Sequence, residues 1–385
     1  MSKSGERVQE SQAKLAHLQT EIDEYAFKLY GIHNRDRENM LETSYNTDEV
    51  GAETDNDVED NEETTQVNAT ELVAQLLSYG LGLAFKRFDL GLALGRRPLP
   101  PEPDPFAPLS PGMLSNTYSL PVEPEDVASD YSLRISWSGI LVDDEGHPDD
   151  IIGRGREALE AIWQDSASEI EREACDILGV RSLRDYFIRP NNFFADHLKR
   201  YSKSRRQAPI YWPLQTPSGS YALWLYYHRL SDQTLYTCVN DFVEPKLSDV
   251  ADQRNARRIK TNRNKQEERD LERLLDIERE LIDFRDELLR VARFWKPNLN
   301  DGVQITAAPL WKLFQHRPWQ NKLKDTWDKL ENGDYDWAHL AYSIWPNRVR
   351  ETCQHDKSLA IAHGLEGLYE EPPEPTGKKR GRKRR

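Results

Sequence analysis

The residues best placed to do chemistry lie near the middle of the 385-residue chain. Lys199, Arg200, Lys203, Arg205 and Arg206 surround Tyr201 and are followed by Tyr211 and Trp212. Lysine and arginine neutralise phosphates and release counterions, and aromatic rings can stack on exposed bases. The pattern points to contact with DNA. The bland alternative is a solvated basic loop beside aromatic rings that are better suited to a core than to stacking. A second group, Arg254, Arg257 and Arg258 with Lys260, Arg263 and Lys265, could follow a phosphate backbone from one stretch of helix, although a charged helix run is ordinarily a wet face. A third group is Lys378, Lys379, Arg380 and Arg382. Arg380-Gly381-Arg382 looks like a minor-groove hook but lacks a following proline, which leaves a nonspecific phosphate-binding tail.

Catalytic candidates are weaker. Gly153-Arg154-Gly155 is expected inside a helix, not after a buried strand, so it is a poor nucleotide loop. Asp232, Glu244 and Lys246 imitate the two carboxylates and lysine of a metal-dependent nuclease, but Pro245 does not suit a central strand. Cys353, His355 and His363 have no second ligand pair to close a zinc site. His228, among aromatics in an expected strand, reads as a core histidine, not a general base. No catalytic, cofactor-binding or metal-ligating residue is therefore assigned.

The elements that must position the basic residues follow from pattern. Two aromatic runs, 205–213 and 221–229, joined by Thr216-Pro217-Ser218-Gly219, predict a β-hairpin flanked by cations. Val8, Leu15, Leu18, Ile22, Tyr25 and Leu29 predict a helix ending near Gly31, with one narrow apolar stripe suited to another helix. Glu71 to Leu94 is apolar, with glycines expected to cut it into short pieces, and a Pro-rich connector runs from Pro98 to Pro111. Asp149 and Asp150 can cap a helix from Ile151 to about Trp163, and a second helix is expected over Ala167 to Leu178. From Pro245 a long helix is expected, its second half carrying Leu274, Ile277, Leu281, Phe284, Leu288 and Val291 as the seam of an antiparallel pair. Five tryptophans between Val303 and Leu368 give a small helical core.

The resulting division is an N-terminal helical segment (1–37), a disordered acidic insertion (38–70), an α+β recognition-like domain with the hairpin (71–246), a long helical spacer (247–295), a Trp-rich helical subdomain (296–370) and a disordered basic tail (371–385). The fold class is α+β, mostly helical with a small antiparallel β-element.

The net charge of −14 is not evenly spread. Twelve acidic residues and no lysine or arginine fall between Glu38 and Glu71, leaving −2 for the rest of the chain. Local clusters, not bulk charge, then decide which partners are possible. The three cysteines are scattered and read as reduced, buried thiols. No apolar run reaches the roughly 20 residues needed to span a bilayer, and the first twelve residues are too polar for a signal peptide, so a cytoplasmic protein without membrane contact is expected.

Arg205-Arg206-Gln-Ala-Pro-Ile-Tyr-Trp-Pro213, Gly219-Ser-Tyr221, Tyr226-Tyr-His-Arg229 and Val243-Glu-Pro-Lys246 together resemble the C-terminal region of large adenine-specific DNA methyltransferases. These are the type IIG restriction-modification enzymes and the methyltransferase of BREX phage-defence systems. Ile22 to Tyr30, Leu90 to Arg96, Gly146-His-Pro-Asp-Asp150 and Lys296 to Gly302 extend the resemblance, in order, over most of residues 15 to 370. In that family this portion holds target recognition and a helical spacer. The family's Asn-Pro-Pro-aromatic loop, which grips the flipped adenine, and its Gly-rich loop for S-adenosylmethionine do not occur here. The resemblance therefore implies a non-catalytic, DNA-engaging specificity part of a split or truncated enzyme. S-adenosylmethionine would belong to a separate catalytic methyltransferase subunit, which is the expected partner. An interaction scaffold that never touches DNA, and a metal-dependent nuclease, are the competing expectations.

Overall fold

The computed structural model describes residues 2–29, 31, 68–96, 131–203, 206–260 and 262–371. The acidic insertion apart from 68–70, the whole Pro-rich connector, Arg205 and the basic tail beyond Glu371 lie outside the described residues. The chain separates into two units, Met1–Leu72 and Val73–Arg385.

The first unit is represented by helix α1, Ser2–Leu29. Its 3- and 4-residue apolar spacing makes the stripe expected from the sequence, and Leu15, Leu18, Ile22, Tyr25 and Leu29 are all exposed along it. Gly31, at φ +65°, follows the helix in the left-handed conformation that glycine adopts without strain.

The second unit is mostly helical around a small antiparallel sheet. Strands β1 (Ile140–Val142), β4 (Tyr211–Gln215) and β5 (Ala222–Tyr226) form one sheet in the order β1-β5-β4. A second ribbon pairs β2 (Ser202–Lys203) with β3 (Arg206–Gln207). Every residue of β4 and β5 is buried, so the hairpin is covered on both faces and its aromatics face core, not solvent. Pro213 is tolerated because β4 is an edge strand, where the missing N–H breaks no ladder on the free side.

Helix α2 (Ala69–Ala84) contains Gly80 and Gly82 and is not broken by them, contrary to the expectation of short pieces. The reason lies in packing: a Cβ on Gly82 would stand 2.5 Å from the Phe88 ring, so the glycine makes room for the chain as it folds back. Helices α3 (Ile151–Trp163) and α4 (Ala167–Leu178) have the expected bounds, and Asp150 caps α3 by accepting from Gly153 N at 3.0 Å. Helices α5 (Leu183–Ile188) and α6 (Phe193–Arg200) bring Phe187 and Phe193 against the hairpin, where Phe193 meets Trp224 at 5.4 Å.

The long helix expected from Pro245 is two helices, α7 (Glu244–Ile259) and α8 (Lys265–Ala292). Pro245 does not begin the helical path either. A wider π turn, Cys238–Val243, leads straight into α7, which suits a proline that cannot donate to the residue four back. At the far end Asn264 and Glu267 form a reciprocal capping box that starts α8 afresh. Ion pairs Glu244–Arg285, Arg254–Glu278 and Lys260–Glu267 fall in descending register, which makes the pair antiparallel. Helix α9 (Arg317–Asn332) buries Trp319 and Leu323. One buried cluster includes residues on both sides of positions 246 and 295, Trp295 and Trp319 among them. Among the described residues no helix is long and apolar enough to cross a membrane.

Candidate nucleic-acid interface

The basic cluster is carried by the end of α6 and the β2–β3 ribbon that follows it directly. Ser202 pairs with Gln207 and Lys203 with Arg206, so two cations stand directly opposite across the ribbon. Like charges in that arrangement repel and destabilise a free ribbon, and an anion between them reverses the sign. Lys199, Lys203 and Arg206 are exposed and Arg200 is half-buried. Among the described residues none of these four forms an ion pair.

The ribbon is held firmly at its base. Ser202 Oγ donates to Leu198 O at 2.6 Å, Ala208 N donates to Tyr201 O at 2.9 Å, and Lys322 Nζ on α9 donates to Gln207 Oε1 at 3.1 Å. The Arg87 guanidinium donates to Tyr201 Oη and lies over that ring.

His197 fixes α6 to the hairpin. It is fully buried, and its Nε2 accepts from both Ile210 N at 3.0 Å and Tyr211 N at 3.1 Å. The proton must therefore sit on Nδ1, which has no partner. Burial holds its pKa well below the usual histidine range, with the Arg200 and Arg87 charges pushing the same way. Its ring stacks on Tyr211 at 4.8 Å.

Tyr211, Trp212, Trp224 and Tyr226 are no more than 1% exposed, which removes the hairpin rings from any base-stacking role. Tyr201, half-buried, keeps an open edge. His228 lies in the 3-10 turn Tyr227–Arg229, just past the strand that was expected to hold it, and burial lowers its pKa.

The second basic group is largely occupied with structure. Arg254 gives Glu278 two contacts, at 2.8 and 2.5 Å, and so is a clasp between α7 and α8, not a free phosphate ligand. Arg263 Nη1 donates to the carbonyls of Arg257, Arg258 and Lys260, which closes the end of α7. Arg257 is half-buried and Arg258 exposed. Arg205, Lys378, Lys379, Arg380 and Arg382 lie outside the described residues.

The nuclease-like set is likewise engaged elsewhere. Lys246 Nζ reaches Asp144 Oδ1 at 2.6 Å, Glu244 pairs with Arg285 at 3.3 Å, and Asp232 is exposed in a turn. Among the described residues no group of three or more His, Cys, Asp or Glu side chains could hold a metal ion. Cys353 is buried, and His363 Nε2 lies 2.6 Å from Asp336 O.

Sequence reasoning missed Arg184. Its guanidinium joins Asp143 to both oxygens of Asp150, at 3.0 and 3.1 Å, and so pins the loop 143–150 to α5. Burial raises the Asp143 pKa to about 6, although Arg184 opposes that rise. No family profile matches this chain, and no curated protein is a significant relative of it.

Proposed function

We propose that the chain engages duplex DNA through the end of α6 and the β2–β3 ribbon, as the non-catalytic specificity part of an adenine-specific DNA methyltransferase system. One observation carries this reading: the cross-strand pairing of Lys203 with Arg206 on an exposed ribbon, with Lys199 and Arg200 beside it and no ion pair formed by the four among the described residues. Charge outside the acidic stretch 38–71 is close to balanced, with carboxylates at hand for pairing, so cations left open among the described residues support a surface kept for an outside anion. The resemblance to type IIG and BREX methyltransferases supplies the context of restriction-modification or phage defence. On this reading S-adenosylmethionine and the methyl transfer belong to a separate catalytic subunit, and the setting is cytoplasmic.

The test is the salt dependence of duplex binding. Each phosphate contact contributes a slope of about 0.9 in the log–log plot. Lys203→Gln with Arg206→Gln should lower the slope by about 2 and leave thermal unfolding in place. An unchanged slope would sink the reading.

A second reading is favoured by α1, whose apolar stripe is exposed at Leu15, Leu18, Ile22, Tyr25 and Leu29, from 42% at Leu18 to 81% at Leu29. The alternation of 3 and 4 is that of a coiled-coil seam, so its occupant would be a helix of the catalytic methyltransferase subunit with a matching seam. Contact with DNA and this assembly role are compatible, since they use different units.

A further inference from the structure

We propose that Arg87 and Tyr201 form a site for a single phosphate group at the foot of the basic ribbon. The site extends the DNA reading, on which its occupant is a backbone phosphate next to those met by Lys203 and Arg206.

The chain turns sharply after α2. Lys86 takes φ +58°, and the N–H groups of Arg87 and Phe88 both donate to Gly82 O, at 2.7 and 3.3 Å. That turn projects Arg87 between two rings, with its guanidinium 4.8 Å from the centre of Phe88 and 5.4 Å from that of Tyr201. Arg87 is half-buried, and among the described residues it has no carboxylate partner. Its neighbour Lys86, in contrast, is matched by Asp89 at 2.7 Å.

The groups facing Arg87 are almost all donors. Tyr201 Oη accepts from Arg87, which leaves its own O–H to give. Behind it Tyr226 Oη is buried without a partner, as is the protonated Nδ1 of His197, and the buried Tyr211 Oη stands beside the Arg87 guanidinium. The electrostatic influences on Tyr211, Tyr226 and His197 come from Arg87, Arg200 and Arg229 and from the neighbouring Tyr201 and Tyr226 hydroxyls, with no carboxylate among them. A partly desolvated cation amid unfilled donors is one half of a charge-assisted hydrogen-bond set, and a tetrahedral oxyanion supplies the acceptors it lacks. The half-exposed edges of Arg87 and Tyr201 give solvent access.

Arg87→Gln removes the charge and keeps side-chain length, and Tyr201→Phe removes only the hydroxyl. Both are compared with the intact chain in two assays: duplex binding against salt, and the thermal midpoint in inorganic phosphate against chloride at equal ionic strength. For Arg87→Gln the expected results are a slope lower by about 0.9 and, at 0.1 M salt, roughly tenfold weaker duplex binding. Tyr201→Phe should weaken duplex binding with the slope retained. Loss of the duplex effect identifies a backbone phosphate. Loss of a phosphate-induced stabilisation, with duplex binding unaltered, identifies a free phosphate in the same site. If both folded variants match the parent in both assays, the proposal is wrong. If the parent fails to bind any duplex, the DNA reading falls, while the phosphate assay still decides the site. Should Arg87→Gln not fold, Tyr201→Phe decides in its place.

Discussion

His197 couples stability to pH through a sign that can be worked out. Its ordinary pKa is 6.5, and burial holds the native value well below that. The unfolded chain therefore takes up a proton that the native fold refuses, and the stability present above about pH 6.5 is lost on acidification. Asp143 acts in the opposite direction. Its native pKa is about 6 against an ordinary 3.8, so the native state holds a proton through that window and loses the corresponding stability as pH rises through it. Urea midpoints taken from pH 4 to 8 should fall below pH 6.5, and fall more gently below pH 6. His197→Gln should flatten the first fall, whereas Asp143→Asn should steepen the second, each by at most ~1.4 kcal/mol per pH unit. Identical profiles for the two variants would exclude this assignment. The exposed cations were legible in the sequence because charge clustering is local. His197, Arg87 and Arg184 were not, since each acts on residues brought close only by the tertiary fold and leaves no periodic mark.

At the scale of elements, local chemistry set several boundaries correctly. Asp150 starts α3, the Gly179 turn at φ +66° ends α4, and the aromatic runs form a hairpin. The break between α7 and α8 was also written in the chain, as Asn264 followed three residues later by Glu267. The continuity of α2 was not readable, because Gly82 is required by Phe88, a contact that only the folded chain creates. Gly82→Ala should cost about 1 to 3 kcal/mol in chemical denaturation through overpacking, despite alanine's better helix propensity. A stabilised variant would show that Phe88 can move aside. Arg254→Gln should lower stability by about 1 kcal/mol or less and leave the salt slope of duplex binding unchanged, as the residue is spent on Glu278. A reduced slope would return Arg254 to the list of phosphate ligands.

For the whole molecule, the fold class followed from the sequence, since a small antiparallel sheet sits among many helices. The exposed seam of α1 and the basic ribbon belong to different units of the chain. Leu18→Glu with Ile22→Glu should leave the main unfolding transition within about 0.5 kcal/mol, because both side chains are exposed, and, on the proposed assembly role, should abolish co-purification with a catalytic methyltransferase subunit. Retained co-purification would remove α1 from the assembly. The burial of Trp212 and Trp224 sets a condition on any sequence preference of this surface. Rings locked beneath helices cannot slide between bases, so discrimination would have to come from groove edges reached by flexible cations or from how readily a particular duplex bends. Swapping inosine for guanosine alters groove groups while keeping the backbone, and would separate those two sources.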